Sequence, residues 1–192
     1  MLHSTAFPSL LPACLGGFYV LSEIFLAVTR RSGAGAVSRD RRSLLLLWLV
    51  ITLSIWLSLR VVHWPPGRLP PSSLWPWLGL SLFVLGIALR WYAIIYLGRF
   101  FTVNVAIAQK HELIDSGPYR WIRHPSYIGA LLAFVGFGFS LGNWLALLCL
   151  LIPVSAVFSW RIRVEECALS EALGDSYRDY MARTRRLIPF IY

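Results

Sequence analysis

Five stretches of this chain carry almost nothing but apolar side chains, and they restrict the fold before any motif is considered. The run over 43–62 is nearly pure Leu, Val, Ile and Trp, and comparable runs cover 8–29, 74–97, 126–140 and 144–160. A helix crosses a bilayer with about 20 apolar residues, and within hydrocarbon only a helix or a closed barrel satisfies its own backbone. The expected fold class is therefore an all-α membrane protein with five transmembrane helices, organised as a single integral membrane domain over 1–192. Composition agrees: 14% of the residues are charged and 57% hydrophobic, against roughly 25% charged in soluble domains. The short connection Leu141-Gly142-Asn143 makes the last two runs a helical hairpin, and Gly129, Gly136 and Gly138 permit close helix contact in the fourth.

The formal charge of +9 does not call for nucleic acid, because basic residues of a membrane protein set orientation and touch anionic headgroups. Arg30, Arg31, Arg39, Arg41 and Arg42 follow the first run; Arg99, Lys110, Arg120 and Arg123 follow the third. The tail holds Arg161, Arg163, Arg178, Arg183, Arg185 and Arg186. The positive-inside rule then predicts an external N-terminus and a cytoplasmic C-terminus. Cys14, Cys149 and Cys167 lack metal-ligand spacing, so no metal site is expected. The N-terminus lacks the flank and cleavage site of a signal peptide, which predicts that its apolar run stays as a helix.

Two apolar runs each contain one charge, Glu23 and Arg90. A charge at that depth costs a few kcal/mol unless it is paired or faces a wet cavity. In the predicted topology the two lie at similar depth, which allows them to pair. Such a pair either hides two costly charges or presents Arg90 to a substrate cavity, and the charges alone leave both readings open.

The chemistry concentrates in 113–129, Leu-Ile-Asp-Ser-Gly-Pro-Tyr-Arg-Trp-Ile-Arg-His-Pro-Ser-Tyr-Ile-Gly, at the edge of an apolar run. Arginine forks and a directed imidazole suit a ligand bearing a carboxylate; a basic loop that only sets topology is the plainer alternative.

The pieces Arg90-x-x-Ala93-x-x-x-Leu97-Gly98-x-x-Phe101, His111-x-Leu113-Ile114-x-x-Gly117-x-Tyr119, Arg123-His124-Pro125-Ser126-Tyr127-x-Gly129, Glu165-Glu166-x-x-Leu169 and Gly174-x-x-Tyr177-x-x-Tyr180, closing on Ile188-Pro189-Phe190-Ile191, resemble the isoprenylcysteine carboxyl methyltransferase family over roughly the last hundred residues. The resemblance implies a membrane-embedded methyltransferase that uses S-adenosyl-L-methionine, with a cytosolic cofactor region over about 99–125 and 161–192. It implies that Gln109, His111, Leu113, Ile114, Gly117, Tyr119, His124, Pro125 and Tyr127 line the cofactor site, that Glu165 or Glu166 closes it, and that Arg90, with Glu23 tuning it, orients the acceptor. It also implies a lipophilic or prenylated acceptor; the shortness of the chain suggests a prokaryotic cell membrane. Membrane lipids are expected partners, nucleic acid is not, and oligomeric state is not encoded.

The residue types agree with that implication, since a sulfonium and an ammonium want acidic and aromatic groups while a carboxylate wants basic ones. No Gly-x-Gly-x-x-Gly stretch follows a strand, which excludes a soluble dinucleotide-type methyltransferase fold. A carboxylate acceptor needs no general base, whereas a phenol, amine or thiol would, with His111, Glu165 and Glu166 as candidates. Tyr177 and Tyr180 read as interfacial packing on a tail helix rather than as ligands, and the Glu pair also fits helix-surface ion pairing with Arg161 and Arg163. Three other functions stay open: an NADPH-dependent sterol-type membrane reductase, for which Arg-His-Pro-x-Tyr-x-Gly and the terminal Pro189-Phe190-Ile191-Tyr192 speak, a phospholipid amine or lipid phenol methyltransferase, and a non-enzymatic membrane scaffold.

Overall fold

The computed structural model describes residues 6–29, 37–38, 41–101, 106–107 and 113–187. Six helices account for most of them: α1 (Ala6–Thr29), α2 (Arg41–Val61), α3 (Leu74–Leu97), α4 (Pro125–Ser140), α5 (Trp144–Leu173) and α6 (Asp175–Arg183). Two residues of the α1–α2 connection, β1 (Val37–Ser38), pair antiparallel with two of the α3–α4 connection, β2 (Ala106–Ile107).

Among the described residues α1, α2, α3 and α5 are long and apolar enough to cross a membrane, and the chain is an integral membrane protein. The fourth predicted span forms α4 but has only 16 residues, about 24 Å at the rise of an α-helix, less than the hydrocarbon thickness of about 30 Å. The fifth is longer than its apolar stretch. No breaker follows Trp160, and α5 runs on through 30 residues to Leu173, stopping where Gly174 takes φ +59°. Such a rod is about 45 Å long, about 15 Å more than the hydrocarbon thickness, and its polar end carries Arg161, Glu165 and Glu166.

Helices α3 and α4 touch backbone to backbone through glycines seven apart on each. A Cβ on Gly79 would lie 2.7 Å from Gly136 O, and one on Gly86 would lie 2.6 Å from Gly129 O; one on Gly129 would lie 2.5 Å from Arg90 N. The sequence implied close contact of the fourth helix, and its partner is α3. This seam brings Arg90 beside the first turn of α4. Helix α2 packs along α5, joined by Ser58 Oγ donating to Ala146 O at 2.8 Å. At one end of that pair Asn143 accepts from Leu145 N and Ala146 N, capping α5, while its Nδ2 donates to Val62 O and Trp64 O. The core is continuous through Leu15, Tyr19, Ile51, Phe83, Phe134, Leu150, Val154 and Phe158.

Candidate functional site

A cavity of about 170 Å³ opens between α1, α2, α3, α5, the segment before α4 and α6. At one end Glu23 and Arg90 meet: Nε and Nη2 of Arg90 donate to the two Glu23 oxygens at 2.7 and 2.9 Å. Their side chains are 9% and 12% exposed, and both face the cavity. The remaining fork atom, Nη1, makes a longer bond of 3.3 Å to Ser126 O. Leu44, Leu47, Trp48 and Ile51 of α2 form an apolar wall beside this pair. The charges predicted at similar depth therefore pair and also line the cavity, so the two readings of Arg90 are compatible.

The other end is polar. His124, Tyr127 and Glu165 meet there, with Tyr127 Oη donating to Glu165 Oε1 at 2.7 Å and accepting from Arg161 Nε at 3.1 Å. His124 is 7% exposed and lies between the two glutamates, Nδ1 3.6 Å from Glu165 Oε2 and Nε2 3.4 Å from Glu166 Oε1. The second contact is electrostatic rather than a directed hydrogen bond, because among the described residues Nε2 of His124 is a buried polar atom with no hydrogen-bond partner. A buried polar group in that condition costs about 1–3 kcal/mol; Nε2 faces Glu166, away from the cavity lining, while Nδ1 is on the side of the cavity-lining Glu165.

Glu166 stands apart from its neighbour. Arg123 Nε and Arg186 Nε each donate to it at 2.7 Å, and Arg123 Nη1 donates to Thr184 O at 2.6 Å. It is the centre of a clasp that ties the segment before α4 to α5 and the tail. Burial alone would raise its pKa, but the neighbouring His124, Arg123 and Arg186 outweigh that and hold it at about 2. Tyr119 and Tyr180 extend the clasp: Tyr180 Oη donates to Tyr119 O at 2.6 Å and Tyr119 Oη to Ala93 O at 3.1 Å. Burial pushes the phenols of Tyr119, Tyr177 and Tyr180 up, so all three are neutral donors near neutral pH.

Of the residues singled out in the sequence, Glu23, Arg90, Leu113, Ile114, Tyr119, His124, Tyr127 and Glu165 come together around the cavity. Glu166, Gly117 and Pro125 are not among its lining residues. Gly117 takes φ +57° against Tyr96, where a Cβ would come within 2.3 Å of the ring, and Pro125 opens α4. Gln109, His111 and the closing stretch 188–192 lie outside the described residues. Tyr177 and Tyr180, expected to pack at the interface, are instead buried at the cavity, because α6 folds back under the segment before α4. Arg161 is 2% exposed and bonded to Ser43 Oγ at 2.7 Å as well as Tyr127. Its only sequence signal is its place one helical turn before Glu165.

With the geometry in hand, comparison with known proteins is direct. The family described as the isoprenylcysteine carboxyl methyltransferase (ICMT) family matches residues 77–171. Protein-S-isoprenylcysteine O-methyltransferase B of Arabidopsis thaliana is 36% identical over 115 residues, covering 59% of this chain and 58% of that protein. The A protein of the same plant is 32% identical over 182 residues, covering 91% and 89%. The chain spans about 58% to 61% of the length of the first relatives it matches. The solved eukaryotic intramembrane Ras methyltransferase superposes with a TM-score of 0.64 at 24% identity, covering 98% of this chain and 70% of that one, and shares the fold. These relatives are eukaryotic and lend the expected prokaryotic setting no support. Matched along nine-tenths of its length to a relative 32% identical to it, the chain belongs to the isoprenylcysteine carboxyl methyltransferase family.

Proposed function

We propose that the protein transfers a methyl group from S-adenosyl-L-methionine to the carboxylate of a lipophilic, isoprenylcysteine-like acceptor at the membrane. The observation that carries this reading is the single cavity joining a polar wall of His124, Tyr127 and Glu165 to an arginine flanked by apolar side chains. The names of the relatives, protein-S-isoprenylcysteine O-methyltransferases, support the same acceptor class.

The polar wall fits the cofactor. His124 supplies an imidazole on the cavity wall beside Glu165, the Glu165 carboxylate suits cationic groups, and Tyr119, Tyr127 and Tyr177 supply aromatic faces. Leu113 and Ile114 add apolar contact, with Gln109 and His111 assigned to the same site from the family pattern. S-adenosyl-L-methionine supplies an electrophilic methyl group when bound. Arg90 holds the acceptor carboxylate: Glu23 occupies its Nε and Nη2 edge, and the long bond from Nη1 to Ser126 O is the one readily exchanged. Glu23 is a positioning residue that fixes the plane of the guanidinium. An ionised carboxylate needs no general base, so the chain's task is to align the two ligands and exclude water. Glu166, doubly bound by arginine, is a poor base in any case. Leu44, Leu47, Trp48 and Ile51 take the acceptor's apolar chain.

In this reading α4 is a fifth, shortened crossing, and the cofactor end faces the cytoplasm. Fifteen of the eighteen basic residues then lie on that side with the C-terminus, and the N-terminus is external.

The test uses the purified protein in lipid discs with methyl-labelled S-adenosyl-L-methionine and a farnesylated N-acetylcysteine. Label in a base-labile methyl ester, absent when the acceptor is a carboxamide, supports the proposal. No transfer, together with a melting temperature raised by NADPH and not by the methyl donor, overturns it in favour of the reductase. Label in an amine phospholipid overturns the acceptor class.

A further inference from the structure

Next to the cavity lies a surface feature that methyl transfer does not use. The segment before α4 runs alongside the tail as a narrow parallel shelf: Arg185 N donates to Trp121 O at 3.1 Å, Arg123 N to Arg185 O at 2.8 Å, and His124 N to Arg186 O at 3.1 Å. Arg123 and His124 line the cavity from this shelf. Arg120, Trp121 and Arg185 are exposed on it. The Trp121 indole is 57% exposed, and the Arg120 guanidinium lies 5.1 Å from its ring centre.

The arginines of this face divide into two kinds. Arg178 is paired with Asp175 and Arg183 with Asp115. Among the described residues Arg120 and Arg185 have no carboxylate partner. One guanidinium without a carboxylate partner among the described residues therefore lies over an indole four residues before Pro125, which opens the apolar helix α4, and a second is carried by the tail residue whose backbone bonds that of Trp121. Indole rings settle at the headgroup level of a bilayer. Exposed arginines near that level attract anionic lipids and bind phosphate through their fork of N–H groups.

We propose that this shelf is a docking site for the headgroup of an anionic phospholipid, with Arg120 and Arg185 on the phosphate and Trp121 resting at the boundary between headgroup and chain. The occupant is a lipid rather than free phosphate because the exposed indole wants an interface that an inorganic ion does not provide. Because Arg123 and His124 belong to the same backbone, the bound headgroup braces the polar wall of the cavity.

The experiment needs neither cofactor nor acceptor, so its outcome is independent of the methyl-transfer reading. The full chain is placed in discs of phosphatidylcholine with about 30% phosphatidylglycerol, moved to a neutral detergent, and the retained lipids are measured by mass spectrometry. Retained phosphatidylglycerol should exceed its share of the discs. Arg120→Gln with Arg185→Gln should lower that enrichment by roughly fivefold per arginine before screening, while Arg60→Gln with Arg68→Gln, far from the shelf in sequence, leaves it unchanged. Melting temperatures in pure phosphatidylcholine report folding, and the wild-type chain provides a second readout, since raising the salt should reduce retention. Equal enrichment in wild type and the Arg120/Arg185 variant, or retention that ignores salt, or phosphatidylglycerol stripped by millimolar inorganic phosphate, overturns the proposal.

Discussion

Whether the buried pair of Glu23 and Arg90 exists for stability or for the acceptor can be decided by removing its charges singly and together. The pair is bidentate at 2.7 and 2.9 Å, with side chains 9% and 12% exposed. Glu23→Leu leaves the guanidinium in a mostly dry setting with the 3.3 Å bond to Ser126 O as its described hydrogen bond. Removing one partner of a buried pair costs about 3–5 kcal/mol; since the cavity wets one side of Arg90, the lower end, about 3 kcal/mol, is expected. For a chain of this size each kcal/mol moves Tm by roughly 2–4 °C, so Glu23→Leu and Arg90→Met should each lower it by about 6–12 °C. The double variant replaces both charges by apolar groups of similar volume and should recover most of that loss, because such replacements are often neutral or stabilising. Thermal unfolding in detergent gives the coupling energy, and methyl transfer on the same samples gives function. A stable double variant with no turnover assigns the pair to the acceptor. A double variant that turns over like wild type refutes the role of Arg90, and single variants within about 1 °C of wild type would refute the claim that the pair is dry.

Other outcomes follow from the same geometry. Gly129→Ala puts a Cβ 2.5 Å from Arg90 N; relieving it separates α3 from α4 by about 1 Å, with an expected cost of about 1–3 kcal/mol and reduced turnover as Arg90 shifts. Gly17→Ala, with nothing within 4 Å of its Cβ inside α1, should leave turnover unchanged and raise Tm by about 1–4 °C, because Ala is the better helix former. Glu165→Gln and His124→Ala should weaken cofactor affinity with little change in Tm, by calorimetry with the demethylated cofactor, whereas Glu166→Gln should chiefly lower Tm by breaking the clasp with Arg123 and Arg186. Because the folded pKa of Glu166 is depressed to about 2 from 4.5, its contribution, on the order of 3 kcal/mol, is present above about pH 4.5 and lost as pH falls toward 2. Acid unfolding of wild type and Glu166→Gln should therefore converge at low pH; curves that stay parallel there would contradict the clasp.

Much of this protein was legible in its linear order. Hydrocarbon tolerates little besides helix, so the apolar runs alone determined where most helices lie, and the cost of charge in such runs singled out Glu23 and Arg90 as partners. The residue types of 113–129 and the Glu pair announced a polar site in the same way, because ligand chemistry depends on composition. What only the tertiary structure decided is which of two adjacent glutamates faces the cavity. On a helix neighbours point about 100° apart, and the approach of Arg123 and Arg186 from distant segments turned Glu166 into a clasp and left Glu165 at the cavity. The buried place of Arg161 and the choice of α3 as the partner of the α4 glycines have the same origin. They depend on how helices far apart in sequence cross, and a local pattern carries no record of the crossing.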